Sequence, residues 1–369
     1  MATTFIYFPS EVQFTSEVPD ITIRTDAEAL TIEISGSNAT AYKERLYPFN
    51  GHVTLRGVSS LLEDAMRAHG LSEAEFTIEA YGNTRSEHYA SLTLFVVFCD
   101  RQLVGGYSYD MLMNNFLTDT QYKRISADGI DTLYFYAPAR ALISYYAWYT
   151  YRLPGDTHDR TWASIFSANA RALDKGIFPI EIRIADLIAE LAQRISHPVE
   201  DITVQAITIR NEDHLLTYYV SPQKPSVAFM FRNSFNLLET VYLWAKTTEK
   251  LKVERSVAVC NLRSSFYDQT TTLTYEVETS PMTVEEAKWV EHLLASADVR
   301  LVDPNTMALD PDTDLLPNVL ITDLTSEIQD GREDMNIIKF TWRFADERPA
   351  LRPPLPGRIH QDAFTPFFN

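Results

Sequence analysis

Two stretches of the chain, LLEDAMRAHGLSEAEFTIEAYGNTRSEHY from Leu61 and LIAELAQRISHPVEDITVQAITIRNEDHL from Leu187, repeat one pattern of residue types without a gap. Adding 126 to each position of the first places Ser60 on Asp186, Leu61 on Leu187, Leu62 on Ile188, Phe76 on Ile202, Ile78 on Val204, Ala80 on Ala206 and Glu87-His88 on Asp213-His214. In both copies a polar N-cap candidate precedes an amphipathic run of about three turns. Alternating residues, a polar turn and a second alternating run follow. Short alternating segments, GHVTLRG and FPIEIRI, precede the two helices, and MNNFLTDT and FRNSFNLLET, each with an Asn-x-Phe element, come after the repeats. A chain that writes helix, strand, hairpin, strand twice is constrained to two related domains that bury the same faces.

The length of 369 residues agrees with two cores, and 45% hydrophobic residues suffice to fill them. Twenty Phe and 19 Tyr against 12 Gly favour strands over glycine-rich nucleotide-binding turns. ITIRT, LTIEIS, SLTLFVVFC, TLYFYA, TVQAITI, SVAFMF, TTLTYEVET, NVLITDL and IIKFTWRF all alternate with the strand period. The clearest helix is TVEEAKWVEHLLASADV, with Thr283 and Glu286 as a capping box and Val284, Ala287, Trp289, Val290, Leu293 and Leu294 as its buried stripe. The predicted fold class is mainly β with a few helices (β/α+β). It comprises two tandem, duplicated β-sandwich-like domains, at 1–175 and 176–345, and an extended Pro-rich C-terminal arm at 346–369. The arm has five prolines from Pro349 onward, which forbid regular pairing, yet it carries Phe364, Phe367 and Phe368, rings too apolar to stay in water without cost. These three are the candidate interaction residues.

A formal net charge of −18 excludes nucleic acid as a partner, because that affinity comes from lysines and arginines that displace counterions. No run of 18 uncharged apolar residues offers a membrane span, and the start MATTFIYFPSEVQF carries no basic signal region. A soluble, cytoplasmic chain without membrane insertion is expected. Cys99 and Cys260 have no paired spacing and read as buried apolar thiols.

Chemistry-bearing patterns are weak. Asp310, Asp312 and Asp314 alternate as in a calcium loop, but Leu315 stands where that loop needs Gly and Ile321 where it needs Glu, so a solvated acidic turn is expected. Asp156, His158 and Asp159 read as a polar loop. Glu87-His88 and Asp213-His214 read as turn and strand-edge residues, since neighbours on a strand point to opposite faces. Hydrolase elbow, Walker loop and dinucleotide fingerprint are absent. No catalytic residue, cofactor or metal is expected, although a carboxylate pair of the glycosidase kind is found by distance and not by spacing. Tyr146 and Trp148, in LYFYAPARALISYYAWYTY, suit either sugar stacking or a sheet core and rim.

The stretch from about 225 to 345 reads SVAFMFRNSFNLLETVYLWAKTTEKLKVERS, TTLTYEVETSPMTVEEAKWVEHLLASADVRL and NVLITDLTSEIQDGREDMNIIKFTWRF. This order resembles tail-associated structural proteins of phages and prophages from Bacteroidota. In those, an Asn-bearing strand turn, a Trp-bearing helix ending in L-x-S-x-x-V and a closing V-L-I-T-D strand recur. Arg232-Asn233-Ser234-Phe235 departs from that pattern, which tends to show Asn-Arg-Phe-Gly. The resemblance implies virion assembly without catalysis, through protein partners, as a homo-oligomer or among tail-assembly subunits, with a final place in the virion or tail particle. The alternative is a carbohydrate-binding or glycan-processing β-sandwich with an aromatic groove.

Overall fold

The computed structural model describes residues 3–7, 10–36, 40–82, 84, 87–138, 141–142, 145–166, 172–173, 175–211, 213–260, 263–302, 316–325, 328 and 335–346. Mainly β structure with a few helices is observed, as the alternation predicts, and it falls into three units.

The first unit runs through β1 (Thr3–Phe5), β2 (Gln13–Phe14), β3 (Ile21–Thr25), β4 (Leu30–Gly36), β5 (Thr40–Leu46), β6 (His52–Leu55), α1 (Val58–Ala68), β7 (Glu73–Tyr81) and β8 (His88–Val97). A five-stranded sheet in the order β2-β8-β7-β4-β5 faces a three-stranded sheet, β1-β3-β6. Helix α1 turns Val58, Leu62 and Met66, spaced four apart, into the core between them. Ile21, Ile23, Ile32, Ile34, Phe76 and Ile78 supply the strand side of that core.

After α2 (Ser108–Asn114) the second unit contains β9 (Tyr122–Ser126), β10 (Ile130–Ala137), β11 (Ala141–Leu142), β12 (Tyr145–Arg152), β13 (Arg160–Phe166), β14 (Ala172–Leu173), β15 (Gly176–Arg183), α3 (Ile184–Ile195), β16 (Thr203–Asn211) and β17 (His214–Ser221). Its five-stranded sheet has the order β13-β12-β16-β17-β9, and β10 pairs with β15. With β9 for β2, β12 for β4, β13 for β5 and α3 for α1, connectivity and strand directions match the first unit. Even the parallel pairing of the leading strand with the last hairpin strand recurs. The gapless alignment conceals three compensating changes, the first being a helix of 12 residues in place of 11. The link 69–72 becomes 196–202, while the hairpin loop 82–87 shrinks to 212–213. Leu62, Phe76, Ile78, Leu187, Ile188, Ile202 and Val204 are all buried, and Leu61 is half-buried.

The seam expected between residues 175 and 176 lies inside the second unit. Strand β10, before it, pairs with β15, after it, from Ile130↔Arg183 to Ala137↔Gly176, and β12 likewise pairs with β16. The reason is physical: the alternation of β10 to β13 fits either unit, and the partners of those strands lie downstream of the seam. Gly176 (φ 147°) is instead a clasp between units. Its neighbour Ile177 donates its N–H to Glu73 of the first unit at 2.9 Å, and a Cβ on Gly176 would stand 2.7 Å from that carboxylate.

The third unit is not a further copy. It has β18 (Val227–Arg232), β19 (Leu238–Leu243), β20 (Ala245–Cys260), β21 (Arg263–Thr279), α4 (Val284–Ala295), β22 (Val299–Val302), β23 (Asn318–Thr325) and β24 (Lys339–Phe344), in one seven-stranded sheet ordered β19-β18-β22-β23-β24-β21-β20. The Thr283 and Glu286 capping box forms at α4, and Trp289 is buried in the core that holds Val319 and Trp342. Leu320, on the opposite face of β23, is exposed. Met230, Tyr242, Trp244 and Val302 join the core of the second unit. Phe14, Leu117, Tyr136 and Phe235 bring all three units to one joint. Among the described residues no helix is long and apolar enough to cross a membrane. Phe364, Phe367 and Phe368, like Asp310, Asp312 and Asp314, lie outside the described residues.

Candidate assembly surface

β20 and β21 are 16 and 17 residues long, far longer than any neighbour, and pair with each other from Ala245↔Thr279 to Cys260↔Arg263. β24 supports β21 at Tyr275–Glu278. Beyond that foot the two strands project as a ribbon. Because side chains alternate, Leu251, Val253, Val257 and Val259 of β20 share the face that at the foot closes the core through Tyr275 and Val277. Leu273 lies opposite Leu251, and Phe266 opposite Val257. Leu251, Val253, Val257, Val259 and Phe266 are 37% to 71% exposed, so apolar residues run from the core out into water on this face, interrupted by Glu249 and by Arg255, which donates to Gln269 across the ribbon. Uncovered apolar area of this kind marks a contact surface. The opposite face is ionic, with Lys250 paired to Glu276 and Lys252 to Glu254 at 2.6 Å. At its foot lies a cleft of about 390 Å³ lined by Lys246, Thr248, Glu278, Asp323 and Lys339.

A second exposed surface is the outer face of the five-stranded sheet of the second unit. Cross-strand rows set Ile165, Tyr146, Arg210 and Leu215 side by side, then Trp148, Thr208, Thr217 and Tyr122. Tyr122 stacks on Tyr219 with ring centroids 6.1 Å apart, and Trp148 is 51% exposed. Tyr146 and Trp148 thus stand on the outside, while Tyr145, Ala147 and Tyr149 fill the core.

The most polar buried point lies where the second and third units meet. Lys123 Nζ on β9 is 2.8 Å from both Asp131 Oδ2 on β10 and Glu239 Oε1 on β19, and none of the three side chains is more than 3% exposed. Tyr218 donates to Asp131 at 2.8 Å. Thr118 and the Trp289 indole donate to Glu239 Oε1, and Asn233 donates to Glu239 Oε2. Burial alone would lower the Lys123 ammonium, but Asp131 and Glu239 outweigh it and hold it above the ordinary 10.5. Burial, and then Asp131, raise the Tyr218 hydroxyl well above 10.0. Two carboxylates thus meet, although not as a hydrolytic pair. An ammonium sits between them, and the adjoining cavity, lined in part by Tyr242, Trp244 and Trp289, measures about 20 Å³, near the room of one water. This cluster clamps the two units together.

Ser234, His292 and Asp119 also converge. A hydrolytic relay needs serine and carboxylate on opposite imidazole nitrogens. Here Nδ1 of His292 faces both Asp119 Oδ2, at 2.8 Å, and Ser234 Oγ, at 3.4 Å. The group fixes the turn 233–237, in which Asn233 Oδ1 accepts from Phe235 and Leu237, Asn233 Nδ2 donates to Leu117 O and Asn236 donates to Leu71 O. Burial pushes the Asp119 carboxyl up, but His292 and Ser234 prevail and hold it below the ordinary 3.8.

The loop residues Asp156 and Asp159 pair with Arg160 and Arg152 at 2.7 and 2.5 Å. His214, expected at a strand edge, is instead a core residue. Its two ring nitrogens contact Asn211 O and Leu112 O, and its ring packs on Phe116 and Phe135. His88 stays exposed. Cys99 is buried, and burial pushes its thiol up to about 11. The described residues hold no cluster of three or more His, Cys, Asp or Glu that could bind a metal.

No family model and no curated protein matches this chain. Among solved structures, similarity is found to the calcium binding domain CBD12 of CALX1.1, at 11% identity and a TM-score of 0.20 over 60% of this chain and 100% of that one. It is also found to the plexin A4 extracellular region, at 7% identity and a TM-score of 0.20 over 95% of this chain and 40% of that one. Such scores place the chain in neither fold.

Proposed function

We propose that this chain is a structural subunit that works by assembly through protein contacts, as a tail-type component of a phage or prophage particle. The carrying observation is the ribbon formed by β20 and β21, whose apolar residues run from the third core out into solvent. A two-stranded ribbon is marginal alone and gains stability when a partner covers its face or pairs with its open edges. The resemblance of residues 225–345 to phage tail proteins supports the same reading, because the ribbon lies within that stretch. Carbohydrate binding draws on the outer face carrying Tyr122, Tyr146, Trp148 and Tyr219. Its central rows, however, carry threonine, arginine and aliphatic Ile165 and Leu215 in place of the amides and carboxylates that bracket sugar hydroxyls, so it ranks second.

The test is light scattering over a concentration series for the parent chain and for Val257→Lys with Phe266→Lys. Both positions are exposed, so the fold and melting temperature should hold. Concentration-dependent association of the parent that vanishes in the double variant is expected. Association of equal extent in both chains would overturn the reading.

A further inference from the structure

We propose that Lys123 and Asp131 join covalently inside the second unit, Lys123 Nζ forming an amide with Asp131 Cγ at the loss of one water, with Glu239 as the proton carrier.

The three groups that such a closure needs already meet. Lys123 Nζ, the nucleophile, is 2.8 Å from Asp131 Oδ2, on the carboxyl to be attacked, and 2.8 Å from Glu239 Oε1. All three side chains are sealed from bulk water, which removes the hydration shell that competes with the approach and shields the product from hydrolysis. The corner between β9 and β10 is pinned, since the Tyr242 hydroxyl bonds both Ile130 N–H, at 3.2 Å, and Ile130 O, at 2.5 Å. Hydrogen bonds decide which carboxylate is attacked. Both oxygens of Glu239 are occupied, Oε1 by Thr118, Trp289 and Lys123 and Oε2 by Asn233. Asp131 Oδ2 accepts from Lys123 and Tyr218, whereas Asp131 Oδ1 is buried and has no hydrogen-bond partner among the described residues. A buried oxygen in that position is costly to keep, and its departure breaks no hydrogen bond.

The steps balance. Glu239 takes a proton from the ammonium over their 2.8 Å contact and passes it to Asp131 Oδ1, which leaves a neutral amine beside a neutral carboxyl. Burial favours that amine and the attraction of Asp131 and Glu239 opposes it, so closure is gradual. The nitrogen attacks Cγ and the C–N bond forms. Glu239 then takes a second proton from the nitrogen and delivers it to the Oδ1 hydroxyl, which leaves as water when its C–O bond breaks. The space of about 20 Å³ beside Tyr242 and Trp289 has room for that water. The carbonyl at Oδ2 keeps its bond from Tyr218, and the amide N–H donates to Glu239. A buried ion pair thus gives way to a neutral amide that ties β9, the edge of the five-stranded sheet, to β10 and its partner β15. Chains still open keep the ion pair and its titration.

The test is the intact mass of the full chain, purified folded, held at neutral pH and then denatured. The expected result is a mass one water below that of the sequence, approached during incubation, with Lys123 and Asp131 in one cross-linked product after digestion. Lys123→Arg keeps a cation between the carboxylates and should stay at its full mass. Glu239→Gln should retain the tryptophan fluorescence of the parent yet close at least about a hundredfold more slowly, the scale of a lost proton carrier. Should Lys123→Arg not fold, Asp131→Asn gives the second reading, because its closure releases one ammonia in place of one water. A parent chain that stays at full mass would overturn the proposal. So would a deficit that persists in Lys123→Arg, a loss of water from Asp131→Asn, or a link mapped to Glu239. Closure of Glu239→Gln at the parent rate would overturn the carrier role.

Discussion

The first and second units share the connectivity of their five-stranded sheets yet expose different chemistry. On the outer face of the first sheet, Lys43, Thr77, Glu79, Ser91 and Thr93 form the cross-strand rows over a Glu33 that is only 3% exposed. On the second, Tyr146, Trp148, Leu215, Tyr122 and Tyr219 stand in the corresponding sheet. Their charges are placed oppositely too. The first unit keeps its lysine outside, Lys43 at 3.1 Å from Glu33, whereas the second buries Lys123 between Asp131 and Glu239. Connectivity follows from which positions are apolar and where the turns fall, so a duplicated pattern keeps the fold while each copy takes up its own surface and joints. The second unit took the central place, with contacts to both neighbours.

The largest effect should come from breaking the buried lysine. Lys123→Met leaves two carboxylates facing each other without a counter-charge, and loss of one partner of a buried pair costs about 3–5 kcal/mol. Urea unfolding should show that drop, while Lys43→Met should cost clearly less, because Lys43 is itself 56% exposed and its buried partner Glu33 keeps the hydrogen bond from Tyr81. Equal midpoints for the two variants would erase the contrast between the units. The pH sign is fixed by the raised Lys123. Its stabilisation is fully present below 10.5 and is lost as pH climbs through the higher folded value.

The repeat was legible because helix and hairpin periods survive exchange of residue identity, and the Trp289 helix because its capping box and apolar stripe are local. The unit boundary was not legible, since nothing in the alternation of β10 or β12 names a partner strand. The Lys123 cluster brings together positions far apart in sequence. Its signal was a charge inside each of three strands, Lys123 next to Arg124 in YKRIS, Asp131 in IDTLYFYA and Glu239 in LETVYL. The ribbon was obscured by Glu249 and Arg255, which interrupt the alternation of Leu251, Val253, Val257 and Val259 with Lys250, Lys252 and Glu254.

A smaller effect should follow at the joint of the second and third units. Asp119, held below 3.8 by His292 and Ser234, contributes stability that is complete above the unfolded value and fades as pH falls through the lower folded one. Asp119→Asn should therefore cost about 1–3 kcal/mol near neutral pH, the range for a charge-assisted hydrogen bond, and the gap to the parent should close below about pH 4. A gap that stays constant from pH 7 to pH 2 would mean that the carboxylate charge plays no part in holding the turn 233–237.

The smallest effect on stability should come from making the second face resemble the first. Tyr146→Thr with Trp148→Thr alters two exposed side chains on β12 while Tyr145, Ala147 and Tyr149 keep the core, and threonine suits a strand. Surface changes away from buried features shift stability by about 0.5 kcal/mol or less, so the midpoint should barely move. A drop of several kcal/mol would instead make the aromatic rows part of the framework and dissolve the contrast with the threonine-rich first face. With the midpoint held, the same double variant isolates what the rings do. Removing apolar contact area from an otherwise intact subunit should lower its tendency to associate at high concentration, by less than charging the ribbon does, because the apolar ribbon residues lead out from a core and the aromatic rows lie on a solvated sheet.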